Sequence, residues 1–358
     1  MIKVTNCTVL EFKEKIREKK IVCFCAGQKF YDFCESFQVA EKIVCVVDNF
    51  RFGTSIEVDK YKIPVIAMND IREELKECIW VVTTVKFADE LVQQLDAIDI
   101  CKNQEVYFPD LFINDITDEV LQLDDVCKIP KRIHYFWFGN NEIPDEFKRN
   151  IETWHKFCPD YEITCWSESN YDITKNRYMN QAYEAKKWGF VPDYARLDVI
   201  YSYGGIYLDT DVEVVRPLDK LLKCDMFCGF ESSYNVNLGQ GFGAVKQHPI
   251  IKKMLELYDE LEFKNSDGTL NLIPSPVYQT RSLCELGLRK NGKLQEVQGA
   301  TILSAEYLSP INEHGYGKIN TNTYAIHHYA GSWYNDEQEQ EKNRIVGNYS
   351  YLISRMNK

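Results

Sequence analysis

Short apolar runs alternate with amphipathic stretches through the first third of the chain. Residues 21 to 26 (Ile-Val-Cys-Phe-Cys-Ala), 43 to 48 (Ile-Val-Cys-Val-Val-Asp), 63 to 66 and 79 to 84 have the near-continuous hydrophobicity of strands buried on both faces. Between them, residues 29 to 40, 69 to 77 and 86 to 97 carry helical spacing, with Leu91, Leu95 and Ile98 on one face at steps of four and three. Strand and helix in alternation predict a parallel, Rossmann-like sheet. The alternation breaks near residues 124 to 130, where Leu-Asp-Asp-Val-Cys-Lys-Ile-Pro leads into a new strand. The expected division is therefore 1–127 and 128–358.

The second part has a different punctuation. Residues 129 to 139, Ile-Pro-Lys-Arg-Ile-His-Tyr-Phe-Trp-Phe-Gly, enter a strand after a proline and leave it at a glycine. Pro192 and Gly204 suit the start and end of a helix, on which Asp193 and Arg196 share a face while Leu197, Ile200 and Tyr201 can turn to the core. Next comes Tyr-Gly-Gly-Ile-Tyr-Leu-Asp-Thr-Asp-Val-Glu-Val, residues 203 to 214, which has the pattern of an apolar strand ending in two acids. Alternation along such a strand points Asp209 and Asp211 the same way. A strand carrying two carboxylates at its end places them where open α/β sheets bind ligands. Hard divalent cations take carboxylate oxygens and share their other positions with substrate phosphates.

Composition narrows the class. At 358 residues two cores are expected, and 45% hydrophobic with 27% charged residues is the balance of a soluble globular protein. No apolar run approaches the ~20 residues needed to span a bilayer, and the amino terminus lacks a signal-peptide pattern. The expected location is the cytoplasm, with at most a peripheral place at the inner membrane face. The 13 cysteines sit largely inside apolar runs and form no Cys-x-x-Cys pair, so reduced buried thiols are expected. A net charge of −12 with no basic stripe argues against nucleic acid as a partner.

Three further features bear on chemistry. In the first domain Gly27 follows the first apolar run and Asp48 closes the second, the layout of a dinucleotide site. The glycine fingerprint fails, because its three positions fall on Cys25, Gly27 and Phe30. In the second, Trp137 is either core or a flat surface for a base, and the Asp193–Arg196 pair is either a surface ion pair or a grip on sugar hydroxyls and phosphate. Near the end, Tyr-Ala-Ile-His-His-Tyr-Ala-Gly-Ser-Trp-Tyr places His327 and His328 on opposite faces if it is a strand, so only one can serve a given site.

Four pieces, Ile-His-Tyr-Phe-Trp-Phe-Gly, Pro-Asp-Tyr-Ala-Arg-Leu, Gly-Gly-Ile-Tyr-Leu-Asp-Thr-Asp and His-His-Tyr-Ala-Gly-Ser-Trp, stand in the order found in one family. Over roughly residues 129 to 335 the chain resembles the DXD-containing sugar transferases, which include yeast-type initiating α-1,6-mannosyltransferases, bacterial capsular polysaccharide transferases and, more distantly, large glucosylating toxins. The first domain resembles the small Rossmann-like module beside many bacterial sugar-modifying enzymes, here a degenerate accessory domain. The resemblance implies a GT-A-like α/β fold, a UDP- or GDP-linked sugar donor, Mn²⁺ or Mg²⁺, retention of anomeric configuration, and a glycan or glycolipid acceptor. Carried over by position, it implies that Trp137 stacks on the donor base and Asp193 and Arg196 hold the transferring sugar. Asp209 would touch ribose and the metal, Asp211 would bind the metal, and Tyr207 would line the donor pocket. His327 or His328 would complete the metal shell, and Ser332 and Trp333 would close over the diphosphate. Glu231, Asn237 and Gln240 lie where acceptor groups often sit. Two other readings stand beside this one: an NAD-dependent sugar-nucleotide-modifying enzyme using the first domain, and a catalytically silent sugar-nucleotide-binding protein.

Overall fold

The computed structural model describes residues 1–112, 121, 125–231, 234–331 and 336–356. The chain forms two compact units, Met1–Thr117 with His314–Tyr316 and Asn335–Lys358, and Asp118–Glu313 with Gly317–Tyr334.

Through residue 107 the described part of the first unit forms, in chain order, β1 (Lys3–Thr5), α1 (Val9–Lys15), β2 (Ile21–Phe24), α2 (Gln28–Phe37), β3 (Ile43–Val47), β4 (Thr54–Val58), β5 (Tyr61–Ile66), β6 (Ile79–Val82), α3 (Ala88–Asp96) and β7 (Glu105–Tyr107). They pair in the order β1-β7-β6-β2-β3-β5-β4, parallel throughout except for β4, which folds back on β5. The apolar runs lie at its centre, with Ile21 to Phe24 fully buried, as expected of strands covered on both faces. Residues 69 to 77 do not make the expected helix. They form two short 3₁₀ turns, Met68–Asp70 and Glu73–Glu77, because only Ile71 and Leu75 offer apolar anchors and Ile71 enters the core at the break between them.

The boundary at the far end also differs from the sequence division. The C-terminal helix Asp336–Met356 belongs to the first unit, so the second does not run to residue 358. Tyr349 and Leu352 are buried in the core that holds Val22, Trp80 and Leu95, and Ile345 and Met356 continue the same stripe at steps of four and three. Asn348 Nδ2 donates to the carbonyls of Val85 and Lys86, and Arg355 meets Asp96 at 2.8 Å.

The second unit contains β8 (Arg132–Phe136), α4 (Asp145–Phe157), β9 (Glu162–Trp166), α5 (Arg177–Glu184), α6 (Pro192–Tyr203), β10 (Gly205–Tyr207), β11 (Val212–Val214), β12 (Met226–Gly229), β13 (Phe242–Ala244), α7 (Pro249–Glu260), α8 (Ser275–Cys284), β14 (Gln295–Val297), β15 (Ala300–Leu303) and β16 (Ala325–His327). Its main sheet runs β14-β15-β12-β13-β10-β8-β9, with β10, β8 and β9 parallel and β13 antiparallel to both its neighbours. A separate two-stranded ribbon pairs β11 with β16. Pro192 opens α6 and Gly204 closes it at φ +67°. Gly205, at φ +115°, lets β10 lie against β8, since a Cβ there would come within 2.9 Å of the Arg132 carbonyl oxygen.

Residues 203 to 214 are therefore not one strand. β10 ends at Tyr207, the chain turns through Asp209 to Asp211 with Val212 N–H bonded to the Asp209 carbonyl, and β11 begins in a different sheet. The two acids come together through a turn between sheets, not through strand alternation. All described cysteines are free thiols, and burial pushes those in the core, such as Cys228, far above their ordinary range.

Candidate active site

The turn after β10 is held from several directions. Asn150, Thr153 and Trp154 on α4 grip its exit: Asn150 Nδ2 donates to the Thr210 carbonyl at 3.0 Å, Trp154 Nε1 to the Val212 carbonyl at 2.8 Å, and Thr153 Oγ accepts from Val214 N–H at 2.9 Å. The ribbon sets Val212 opposite His327, which brings an imidazole from far along the chain beside the acids. Asp209, Asp211 and His327 each offer a ligand atom, and these atoms lie within 4.8 Å of one another. The side chains of Asp209 and Asp211 keep 28% and 15% of their surface, so the cluster is open to an approaching ion.

Each acid has a distinct environment. Asp211 Oδ1 lies 3.3 Å from His327 Nε2, its Oδ2 accepts from Ala330 N–H at 3.0 Å, and its backbone carbonyl accepts from His328 N–H. Burial works to raise its pKa, but the imidazole and the backbone donor overcome this and hold it at about 2. Asp209 Oδ1 accepts the Tyr207 hydroxyl at 2.5 Å and lies 3.6 Å from Arg196 Nη2. Its pKa is raised, by burial first and also by Asp211, against the pull of Arg196. Burial pushes the His327 imidazole down, while Asp211 pulls it up further, and the net direction is up. The set of two carboxylates and one imidazole, one acid kept ionised, fits Mn²⁺ and admits Mg²⁺.

Behind the cluster stands a buried ion pair. Arg196 Nη2 meets Asp193 Oδ1 at 3.1 Å, with the two side chains only 4% and 5% exposed, and its guanidinium stacks over the Tyr207 ring at 5.0 Å. A surface pair is thereby excluded. Burial raises Asp193 to about 7 against the pull of Arg196 and of a hydrogen bond from Ser275. Asp193, Arg196, Tyr207 and Asp209 thus form one chain of contacts, and the Asp211–His327 pair brings its ligand atoms within 4.8 Å of that of Asp209.

His328 is outside it. The ribbon's alternation turns its ring away to Glu213, 3.0 Å distant and half exposed, so of the two candidate histidines only His327 joins the acids. Trp137 lies just past β8, half-buried, donating to the Asn141 carbonyl at 2.7 Å and edge-on to Phe147. Ser332 and Trp333 lie outside the described residues.

Sequence reasoning missed several members. Ser275 on α8 reaches Asp193, and the three α4 side chains hold the turn. Gly239 presses on Asp209: a Cβ there would stand 2.2 Å from Asp209 Oδ2 and 3.0 Å from Arg196 Nη1. The Asn-Leu-Gly-Gln-Gly run was its one visible signal.

Residues 144–227, which contain this turn, match the family described as glycosyltransferase sugar-binding region containing DXD motif. This segment is similar to DXD-type sugar-binding regions. Among curated proteins, the chain is similar to inositol phosphoceramide mannosyltransferase 1 of Schizosaccharomyces pombe, 22% identical over 49% of this chain and 57% of that protein. It is 30% identical to inositol phosphoceramide mannosyltransferase 3 of the same yeast over 40% of this chain and 44% of that one. Mannosyl phosphorylinositol ceramide synthase SUR1 of Saccharomyces cerevisiae is 30% identical over 36% and 34%. The chain spans about half the length of the first two relatives. Among solved structures, PaToxG glycosyltransferase aligns at a TM-score of 0.35 with 23% identity, over 44% of this chain and 69% of that one. No described helix is long and apolar enough to cross a membrane.

Proposed function

We propose that the chain is a metal-dependent, retaining glycosyltransferase that moves a hexosyl group from a nucleoside-diphosphate sugar to a hydroxyl of a glycan or glycolipid. The convergence of Asp209, Asp211 and His327 beside the buried Arg196–Asp193 pair carries this reading. The names of the yeast relatives, inositol phosphoceramide mannosyltransferases and a mannosyl phosphorylinositol ceramide synthase, make mannose the first donor sugar to test and a lipid-linked headgroup the first acceptor.

Asp209, Asp211 and His327 would hold Mn²⁺ or Mg²⁺, which when bound supplies positive charge to the leaving diphosphate. Arg196 faces the same charge from a buried position, where its electrostatic effect is large and its orientation is fixed in advance by Asp193 and Tyr207. Asp193 and Arg196 would fix the hexose, and Trp137 would offer a stacking face to the base. The bond from the anomeric carbon to the diphosphate oxygen breaks as the acceptor oxygen bonds on the same face, and the acceptor proton passes to a diphosphate oxygen. Asp209 and Asp211 would be engaged as ligands and Asp193 is held in an ion pair, so none of the three is poised as a nucleophile.

One observation in the first unit weighs against the NAD-dependent reading. Asp48, placed to take a ribose hydroxyl in a dinucleotide site, instead accepts the backbone N–H groups of Ala26, Phe50 and Arg51. We propose that this unit is an accessory module. The decisive assay is donor hydrolysis with UDP- and GDP-sugars, GDP-mannose included, with and without Mn²⁺. Metal-dependent turnover of one donor is the expected result, and a silent binding protein would give none.

A further inference from the structure

Between β12 and β13, residues 236 to 239 run beside Asp209. From Val236 to Gly239 each backbone N–H has a partner. Val236 donates to Thr280 Oγ at 2.8 Å, Asn237 to the Gly229 carbonyl at 3.1 Å, Leu238 to Gln279 Oε1 at 3.0 Å, and Gly239 to Asn237 Oδ1 at 2.8 Å. The last of these is a side chain holding a backbone two residues on. Asn237 is buried, and the other end of its amide donates to Glu231 Oε2 at 3.0 Å. On the far side, the Gly239 carbonyl accepts from Asp209 N–H at 3.1 Å. A continuous chain thus runs from the Glu231 carboxylate through the Asn237 amide and the Gly239 peptide to the backbone of Asp209.

Resting on the metal-site reading above, we infer that Asn237 is a positioning residue for Asp209, with Glu231 fixing which way its amide faces. Asn237 touches neither the acids nor the guanidinium as a bonding partner. Its effect runs through Gly239, which lies so close to Asp209 Oδ2 and Arg196 Nη1 that any slackening of this loop changes the distance between them. Glu231 can accept only from the NH₂ end, which leaves the carbonyl end for Gly239 N–H. Outer partners of this kind orient a metal ligand and tune its affinity.

The test titrates the full-length protein with Mn²⁺ alone, by calorimetry and by thermal shift. Asn237→Ala should weaken Mn²⁺ binding about 10- to 100-fold. Asn237→Asp retains an acceptor for Gly239 but sets two carboxylates together, so it should also bind Mn²⁺ weakly. Adding Glu231→Gln supplies an amide donor to that new carboxylate and should restore affinity. If Asn237→Ala does not fold, Glu231→Ala is the substitute, with a smaller loss, roughly three- to tenfold on the same scale. Wild-type affinity in these variants, or failure of the double exchange to recover it, overturns the inference while leaving the metal site intact. Absence of Mn²⁺ binding by the wild type overturns the metal reading and this inference with it.

Discussion

Both units carry an aspartate just beyond the carboxyl end of a central strand, Asp48 after β3 and Asp209 after β10, and the two have opposite fates. Asp48 spends both oxygens on its own loop: Oδ2 on Ala26 N–H at 2.8 Å, Oδ1 on Phe50 and Arg51 N–H at 2.9 Å each. Burial opposes ionisation, but these three donors and Arg51 hold it below the usual carboxylate range. Asp209 receives the Tyr207 hydroxyl, and burial together with Asp211 moves it upward. A carboxylate whose lone pairs are filled by nearby backbone fastens a turn. One crowded against a second acid keeps an unmet demand for positive charge, and that demand is what a cation satisfies.

Substituting the acids in each unit should break the comparison most strongly. Asp211→Asn should lower metal-dependent donor hydrolysis on the order of 10³-fold, the several kcal/mol that a metal-borne charge supplies. Its apo melting temperature should fall, because His327 and the Ala330 N–H hold Asp211 ionised and the substitution removes that favourable charge. Full activity of this variant in Mn²⁺ would refute the metal assignment. Asp48→Ala should leave donor turnover within about twofold and destabilise the first unit by roughly 1–3 kcal/mol through its orphaned N–H groups. Hydrogen exchange at Ile21–Phe24 and Ile43–Val47 reads that loss separately.

The helix that holds the turn comes next in size. Trp154→Phe keeps the buried ring but leaves the Val212 carbonyl without its donor, a cost of about 1–3 kcal/mol. Since β11 also aligns His327, Mn²⁺ affinity should fall with stability, whereas Asp48→Ala leaves it unchanged. Equal Mn²⁺ binding by Trp154→Phe and wild type would show that α4 only supports the fold.

The sequence made some of this legible and hid the rest for identifiable reasons. The apolar runs of β2, β3 and β6 announced themselves because strands buried on both faces need no alternation. Pro192 and Gly204 marked both ends of α6 through their fixed backbone preferences. The acid pair was visible as a spacing, but the turn that joins its members was not, because Leu208 continues the apolar run after β10 has ended. The C-terminal helix could not be assigned to the first unit from spacing alone, since a stripe of Ile345, Tyr349 and Leu352 says that a face is buried without saying against what. Asn150 and Ser275 left no sign because a polar residue acting on a group far along the chain, the Thr210 carbonyl for one and the Asp193 carboxyl for the other, follows no period.

An imidazole in each unit, buried at His327 and part-buried at His314, gives the smallest contrast. His327 moves up because Asp211 outweighs burial, while His314, beside Tyr349 at a ring distance of 5.1 Å, falls to about 4 because burial outweighs the pull of Asp110. A histidine whose folded pKa lies below its unfolded value of about 6.5 leaves the unfolded chain binding the extra proton between these two values, so stability falls as pH drops from 6.5 to 4. Because His314 is only part-buried, solvent screening reduces the effect to about 1 kcal/mol, roughly 4 °C in melting temperature for a unit of this size. His314→Phe keeps the ring against Tyr349 and removes the titration. Hydrogen exchange at Ile79–Val82 should show the acid-dependent loss in the wild type and a flatter profile in the variant. The same slope in both proteins would assign the acid sensitivity of the first unit to its carboxylates, Asp48 first among them.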